Sequence, residues 1–133
     1  MRKLFIVVLL SLSVFASDNI HIKKSNYSVD TTLEHIKNIV TKKGFKVFNI
    51  VIHSKNSKLI IFGNPKIGNQ LMKENIVAGL DLPMKVLIFK DANGVQVAYK
   101  NGSFLQKTYS LKNQKLINKI DKALDKITNK ATK

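Results

Sequence analysis

Three side chains able to do chemistry stand beside turn signals in the middle of this chain. His53 closes an apolar run, Asn64 lies within Gly63-Asn64-Pro65, and Asp81 comes two residues before Pro83. An imidazole titrates near neutrality, an amide both donates and accepts, and a carboxylate can orient a base. Pro65 pushes the backbone of Asn64 out of the helical region, and Gly63 lets backbone approach closely. If the strands they flank end on one side of a sheet, imidazole, amide and carboxylate converge on a pocket. Lys66 and Lys85 flank the two turns and favour a small anionic ligand there. The candidate ligand-binding residues are therefore His53, Gly63, Asn64, Pro65, Asp81 and Lys85. Each has a structural alternative. Asn64 can satisfy loop backbone, Asp81 can cap a helix or pair with Lys85, and His53 can be an ordinary strand-end residue. The sequence displays no nucleophile–base pair and no metal cage, so catalytic residues are unassigned and neither metal nor cofactor is expected.

The elements that must position these residues follow from hydrophobic period. Residues 19–24 read as a short edge strand, and from the N-cap Ser28 the apolar Val29, Leu33, Ile36, Ile39 and Val40 recur at helical spacing up to Gly44. Phe45 to His53 and Lys58 to Phe62 alternate as strands, joined by the polar Ser54-Lys55-Asn56-Ser57 into a hairpin. A short helix is expected over Gly68 to Asn75. Met84 to Phe89 and Val95 to Tyr99 form a second hairpin about Asp91-Ala92-Asn93-Gly94. From Leu111 to Thr128 a helical period returns, with Leu116, Ile120, Ala123, Leu124, Ile127 and Ala131 on one face. The order predicts an α+β single domain, a mainly antiparallel sheet of about four to five strands covered by helices.

Lys115, Lys119, Lys122, Lys126 and Lys130 make a stripe on that last helix. It is either the solvated side of a lid over the sheet or a contact for an anionic envelope surface. Lys and Arg total 23 against 8 acidic residues, a formal charge of +15, which favours anionic partners or reflects a preference for lysine. Specific nucleic-acid binding is not expected: the lone arginine is Arg2, and the aromatics are not interleaved with the lysines. The 44% apolar content indicates a folded chain, and the absence of cysteine excludes disulfides and thiol chemistry.

Residues 1–16 read as a signal peptide, with Met1-Arg2-Lys3 ahead of an apolar run from Leu4 to Val14 and cleavage after Ala16. The run is shorter than the roughly 20 residues of a spanning helix, although retention as a weak anchor is the alternative. Residues 17–133 are then the mature domain, periplasmic or secreted.

The stretches "FGNPKIGNQLM" and "LDLPMKVLIF", with "YSVDTTLEHIKNIVTKKGFKVFNIVIH" upstream and "VQVAYK" downstream, resemble the domain-of-unknown-function 302 family across about residues 20 to 105. The resemblance implies a compact α+β domain, often paired as a homodimer, with no established activity. That family usually carries Ile-Asp-His at the end of its second strand. Here the matching residues are Val51-Ile52-His53, which keep the histidine without the aspartate, and the loop that follows is shorter.

Three functions fit these observations. The leading one is a periplasmic binding or stress-protective module with a small-ligand pocket. The second is an enzyme, hydrolase-like or other, with His53 as general base and Asp81 orienting it. The third is a lysine-rich protein held on anionic envelope surfaces.

Overall fold

The computed structural model describes residues 20–133, so the expected leader and its expected cleavage after Ala16 lie outside the described residues. Strand β1 (Ile20–Lys24) is followed by helix α1 (Val29–Lys42), the hairpin β2 (Lys46–Ser54) and β3 (Ser57–Gly63), and helix α2 (Pro65–Glu74). A 3-10 turn (Ile76–Leu80) leads to the hairpin β4 (Met84–Asp91) and β5 (Gly94–Lys100), then to helices α3 (Gly102–Tyr109) and α4 (Gln114–Thr132). The five strands form a sheet of order β1-β5-β4-β3-β2, antiparallel at every pair. This is the α+β class expected from the alternating periods.

Helix α1 forms where its caps dictate. Ser28 accepts from the amide of Thr31, and Gly44, at φ +79°, takes the left-handed turn that stops the helix. Its apolar stripe, Leu33, Ile36 and Val40, packs with Ile117, Leu124 and Ile127 of α4 over Ile60, Phe62, Val86, Ile88 and Val97 of the sheet. Lysine 23 of β1 ties the sheet to α4, donating to Asp125 at 2.7 Å and to Thr128 at 2.8 Å.

The opposite face carries a row of small and apolar side chains in register across all the strands: Ile22, Ala98, Leu87, Leu59 and Val51. None of these is fully buried, and Ile22 is 59% exposed.

Three elements differ from the expected ones. Helix α2 begins at Pro65 rather than Gly68, because the Asn64 side chain caps it and proline suits the first helical position. The first hairpin turns on Lys55-Asn56 alone, with Ser54 and Ser57 already paired. Helix α3 was not expected at all. It starts behind the N-cap Asn101, and Asp121 of α4 accepts from the Gly102 amide and the Ser103 hydroxyl. Only a residue without Cβ fits at Gly102, since a Cβ there would lie 2.9 Å from the Ile117 carbonyl oxygen and from the Asp121 carboxylate.

Candidate functional site

Phe62 of β3 and Met84 of β4 face each other in register, so the two segments that leave the sheet at this end lie side by side. Gly63, Asn64 and Pro65 run out of β3, while Leu82 and Pro83, joined by a cis peptide bond, run into β4. Together they border a cavity of about 430 Å³, as the two motifs led one to expect. Helix α4 closes its back with Ile120, Ala123, Leu124 and Ile127, α2 supplies Ile67, Gly68 and Met72, and Phe45 and Phe48 stand before β2 and on it. The lining is overwhelmingly apolar. Asn64, Asn69, Lys43 and Lys119 are its polar side chains.

Asn64 acts locally first. Its Oδ1 accepts from the Lys66 amide at 3.0 Å, which is the capping role weighed against a binding one. Its amide nitrogen makes no side-chain hydrogen bond among the described residues, and the residue borders the cavity.

Asp81 does not face this cavity. Its carboxylate accepts from the Tyr109 hydroxyl at the end of α3 and from Lys100 Nζ at 3.2 Å. Burial raises its pKa, but the Tyr109 hydrogen bond and the charges of Lys100 and Lys85 outweigh that, and the net shift is downward. Asp81 borders a smaller hollow of about 250 Å³ that also takes in Lys85, Lys100, Leu59, Leu87 and Ala98. Lys85 thus belongs to the second hollow rather than the first, its Nζ donating to the Pro83 carbonyl at 3.3 Å. Lys66 does not line the larger cavity either.

His53 lies at the wrong end. It is exposed on β2 beside the hairpin turn, whereas Gly63 pairs with Lys46 at the other end of the same hairpin. At about 3.3 Å per residue, the strand length between them is roughly 20 Å. In a hairpin the finish of one strand is the start of the next, so the ends of β2 and β3 point in opposite directions. The structure therefore corrects the expected convergence: Gly63, Asn64 and Pro65 share a site with Leu82 and Pro83, and His53, Asp81 and Lys85 stand outside it.

Lys43, directly after α1, and Lys119, from the α4 stripe, are the site residues that the sequence reading did not place there. Four of the five strands separate them in sequence, and they come to one cavity through the packing of α1 and α4 on the same face of the sheet. Neither forms an ion pair among the described residues. Lys115, Lys119, Lys122, Lys126 and Lys130 are all exposed, while the other side of α4 is buried as the lid of the sheet. Among the described residues there is no group of three or more His, Cys, Asp or Glu able to hold a metal.

A family model described as Domain of unknown function DUF302 matches residues 21–127. The chain is 33% identical over 99 residues to Fluoride-specific ion channel FluC 1 of Brucella suis biovar 1, covering 66% of this chain and 39% of that protein. It is equally similar to the protein of the same name from Brucella abortus biovar 1, covering 37% of it. The chain thus spans under two fifths of the curated relatives it matches. Among the described residues, no helix is long and apolar enough to cross a membrane. The crystal structure of an uncharacterized conserved DUF302 protein from Bacillus stearothermophilus superposes with a TM-score of 0.66 at 13% identity, over 87% of this chain and 97% of that one. That likeness is one of fold. By the match across most of its length, the chain belongs to the DUF302 family.

Proposed function

We propose that this protein is an envelope binding module, non-catalytic and stress-protective, that holds a small molecule in the cavity beneath the Asn64-Pro65 and Leu82-Pro83 turns. The observation that carries this reading is the cavity's lining: apolar walls of the size that encloses small ligands, with no hydroxyl, imidazole, thiol or carboxylate among its side chains. Covalent and acid–base catalysis need a nucleophile or a base close to the bound molecule, held by a partner that orients it, and no such pair lines the cavity among the described residues. The enzyme reading loses its support because His53 is roughly 20 Å away along the hairpin.

The location outside the cytoplasm rests on the leader. It also fits the Brucella relatives, which are named as ion channels and so work in a membrane. A second copy of the chain is the partner we assign to the uncovered sheet face, where the row from Ile22 to Val51 leaves apolar surface in contact with water. The exposed α4 lysines favour one further reading, association with an anionic envelope surface.

The test is a titration with anilinonaphthalene sulfonate, which fluoresces on entering an apolar site. Saturable binding to the wild type, lost in Gly68→Phe, is expected. Gly68 lines the cavity and a Cβ there meets nothing within 4 Å, so a larger side chain leaves α2 without a backbone clash and takes up space at the cavity. Fluorescence unchanged by that substitution would remove the cavity from consideration.

A further inference from the structure

We infer that the ligand class is an amphipathic anion: an acyl or aromatic body in the cavity, ending in an oxyanion head group (carboxylate, sulfonate or phosphate) held by Lys43 and Lys119. This rests on the cavity being a binding site, and adds to it the charge and shape of what binds.

The charge follows from the carboxylates. Asp125 is committed to Lys23, Asp81 to Lys100 and Tyr109, Asp30 to Lys58, and Asp121 to the start of α3. None of them lines the cavity, whose charged groups among the described residues are Lys43 and Lys119. Both ammonium groups are without an ion pair among the described residues. A cationic ligand would meet two like charges and no counterion, whereas an anion adds the attraction of both and of a chain whose formal charge is +15. The free amide nitrogen of Asn64 and the side chain of Asn69 add neutral donors suited to an oxyanion.

The apolar body follows from the walls and from Phe48. The pairing of β2 with β3 is irregular between Val47 and Asn49, and Phe48 is the extra residue. A bulge re-aims one side chain of a strand, and here it turns a phenylalanine that is still 41% exposed toward the cavity. An aromatic ring left in water at the border of an apolar hollow lacks a partner that an acyl chain or ring would supply. Lys46 Nζ lies 5.1 Å from the centre of that ring, adding another positive charge on the same side. Such an amphiphile reaches the cavity either as a free carboxylate or as the acyl chain of an anionic lipid.

The experiment measures displacement of anilinonaphthalene sulfonate from the full chain by decanoate and by decanol, which share an alkyl body and differ in charge. The wild type should bind decanoate at least tenfold more tightly than decanol at low salt. The double substitution Lys43→Gln and Lys119→Gln, at two exposed side chains, should erase that preference while leaving decanol unaffected. Gly68→Phe should abolish both. Phosphatidylglycerol vesicles added as a third competitor separate the sources: displacement that Gly68→Phe prevents marks a lipid chain, and no displacement marks a free carboxylate, both within the inferred class. Equal binding of decanoate and decanol, or a double variant with undiminished preference, overturns the anionic ligand and leaves the cavity as a binding site. Failure of every compound to bind the wild type overturns both.

Discussion

Tyr109, the last residue of α3, donates its hydroxyl to the carboxylate of Asp81, the residue before the Leu82-Pro83 turn. Lys100, at the end of β5, completes the contact from the other side. The bond fastens α3 to the segment that forms one wall of the cavity, so it supports the site without touching what the site holds.

Replacing Tyr109 by phenylalanine should lower stability, because a half-buried carboxylate loses a donor while Lys100 stays. The pH dependence gives the sign. The folded pKa of Asp81 lies below its unfolded value of about 3.9, so its contribution is present above that pH and is lost as pH falls through the folded value. Tyr109 is shifted the other way by the same hydrogen bond, above its usual value near 10. Its contribution is present below that pH and is lost as pH rises through the folded value. Thermal unfolding across pH should show both losses in the wild type, and Tyr109→Phe should remove the alkaline one.

Two glycines should respond in opposite ways to alanine. Gly102→Ala forces the start of α3 away from the Ile117 carbonyl and should destabilise by roughly 1–3 kcal/mol. Gly68→Ala places a methyl group in open space within α2 and should stabilise by up to about 1 kcal/mol through helix propensity. Denaturant midpoints of the two variants, measured beside the wild type, check both signs.

His53→Ala should leave ligand affinity unchanged and stability within about 0.5 kcal/mol, as expected for an exposed residue remote from the cavity. Probe titration and thermal melting of the variant measure the two. A loss of binding would return His53 to the site.

The homodimer should appear in light scattering at physiological salt, at twice the ~13 kDa of residues 17–133, taken at roughly 110 Da per residue. A charged residue in the middle of the uncovered row, Leu87→Lys, should release monomers without unfolding them, since Leu87 faces away from the helix-covered core. A monomer in the wild type, or a dimer indifferent to the substitution, would remove that face as the contact.

What could be read in the sequence was whatever local chemistry determines. Ser28 and Gly44 bracket α1 through hydrogen bonds and backbone angles within a few residues of themselves, and both stand where the sequence put them. The shared cavity of the Asn64 and Pro83 turns was legible too, because antiparallel neighbours bring the exit of one strand beside the entry of the next. The position of His53 was legible as well and ran against the expected convergence: once 45–53 and 58–62 form a hairpin, the end of the first strand lies at the turn and the end of the second at the far edge. Helix α3 escaped because Asn101-Gly102-Ser103 has the composition of a turn, and the carboxylate that accepts from the Gly102 amide and the Ser103 hydroxyl, that of Asp121, comes from another helix. Lys43 and Lys119 belong to helices whose periods predict their buried stripes, but their meeting at one cavity depends on how α1 crosses α4.

The most direct measurement is a map of backbone amide shifts as decanoate is titrated into the isotopically labelled protein. Saturable perturbations should cluster at residues 62–69, 82–84 and 119–127 together with Lys43, and be absent at His53. Perturbations confined to the hairpin end around His53, or spread along Lys115, Lys122, Lys126 and Lys130 with the cavity residues silent, would contradict a ligand held beneath the two proline turns.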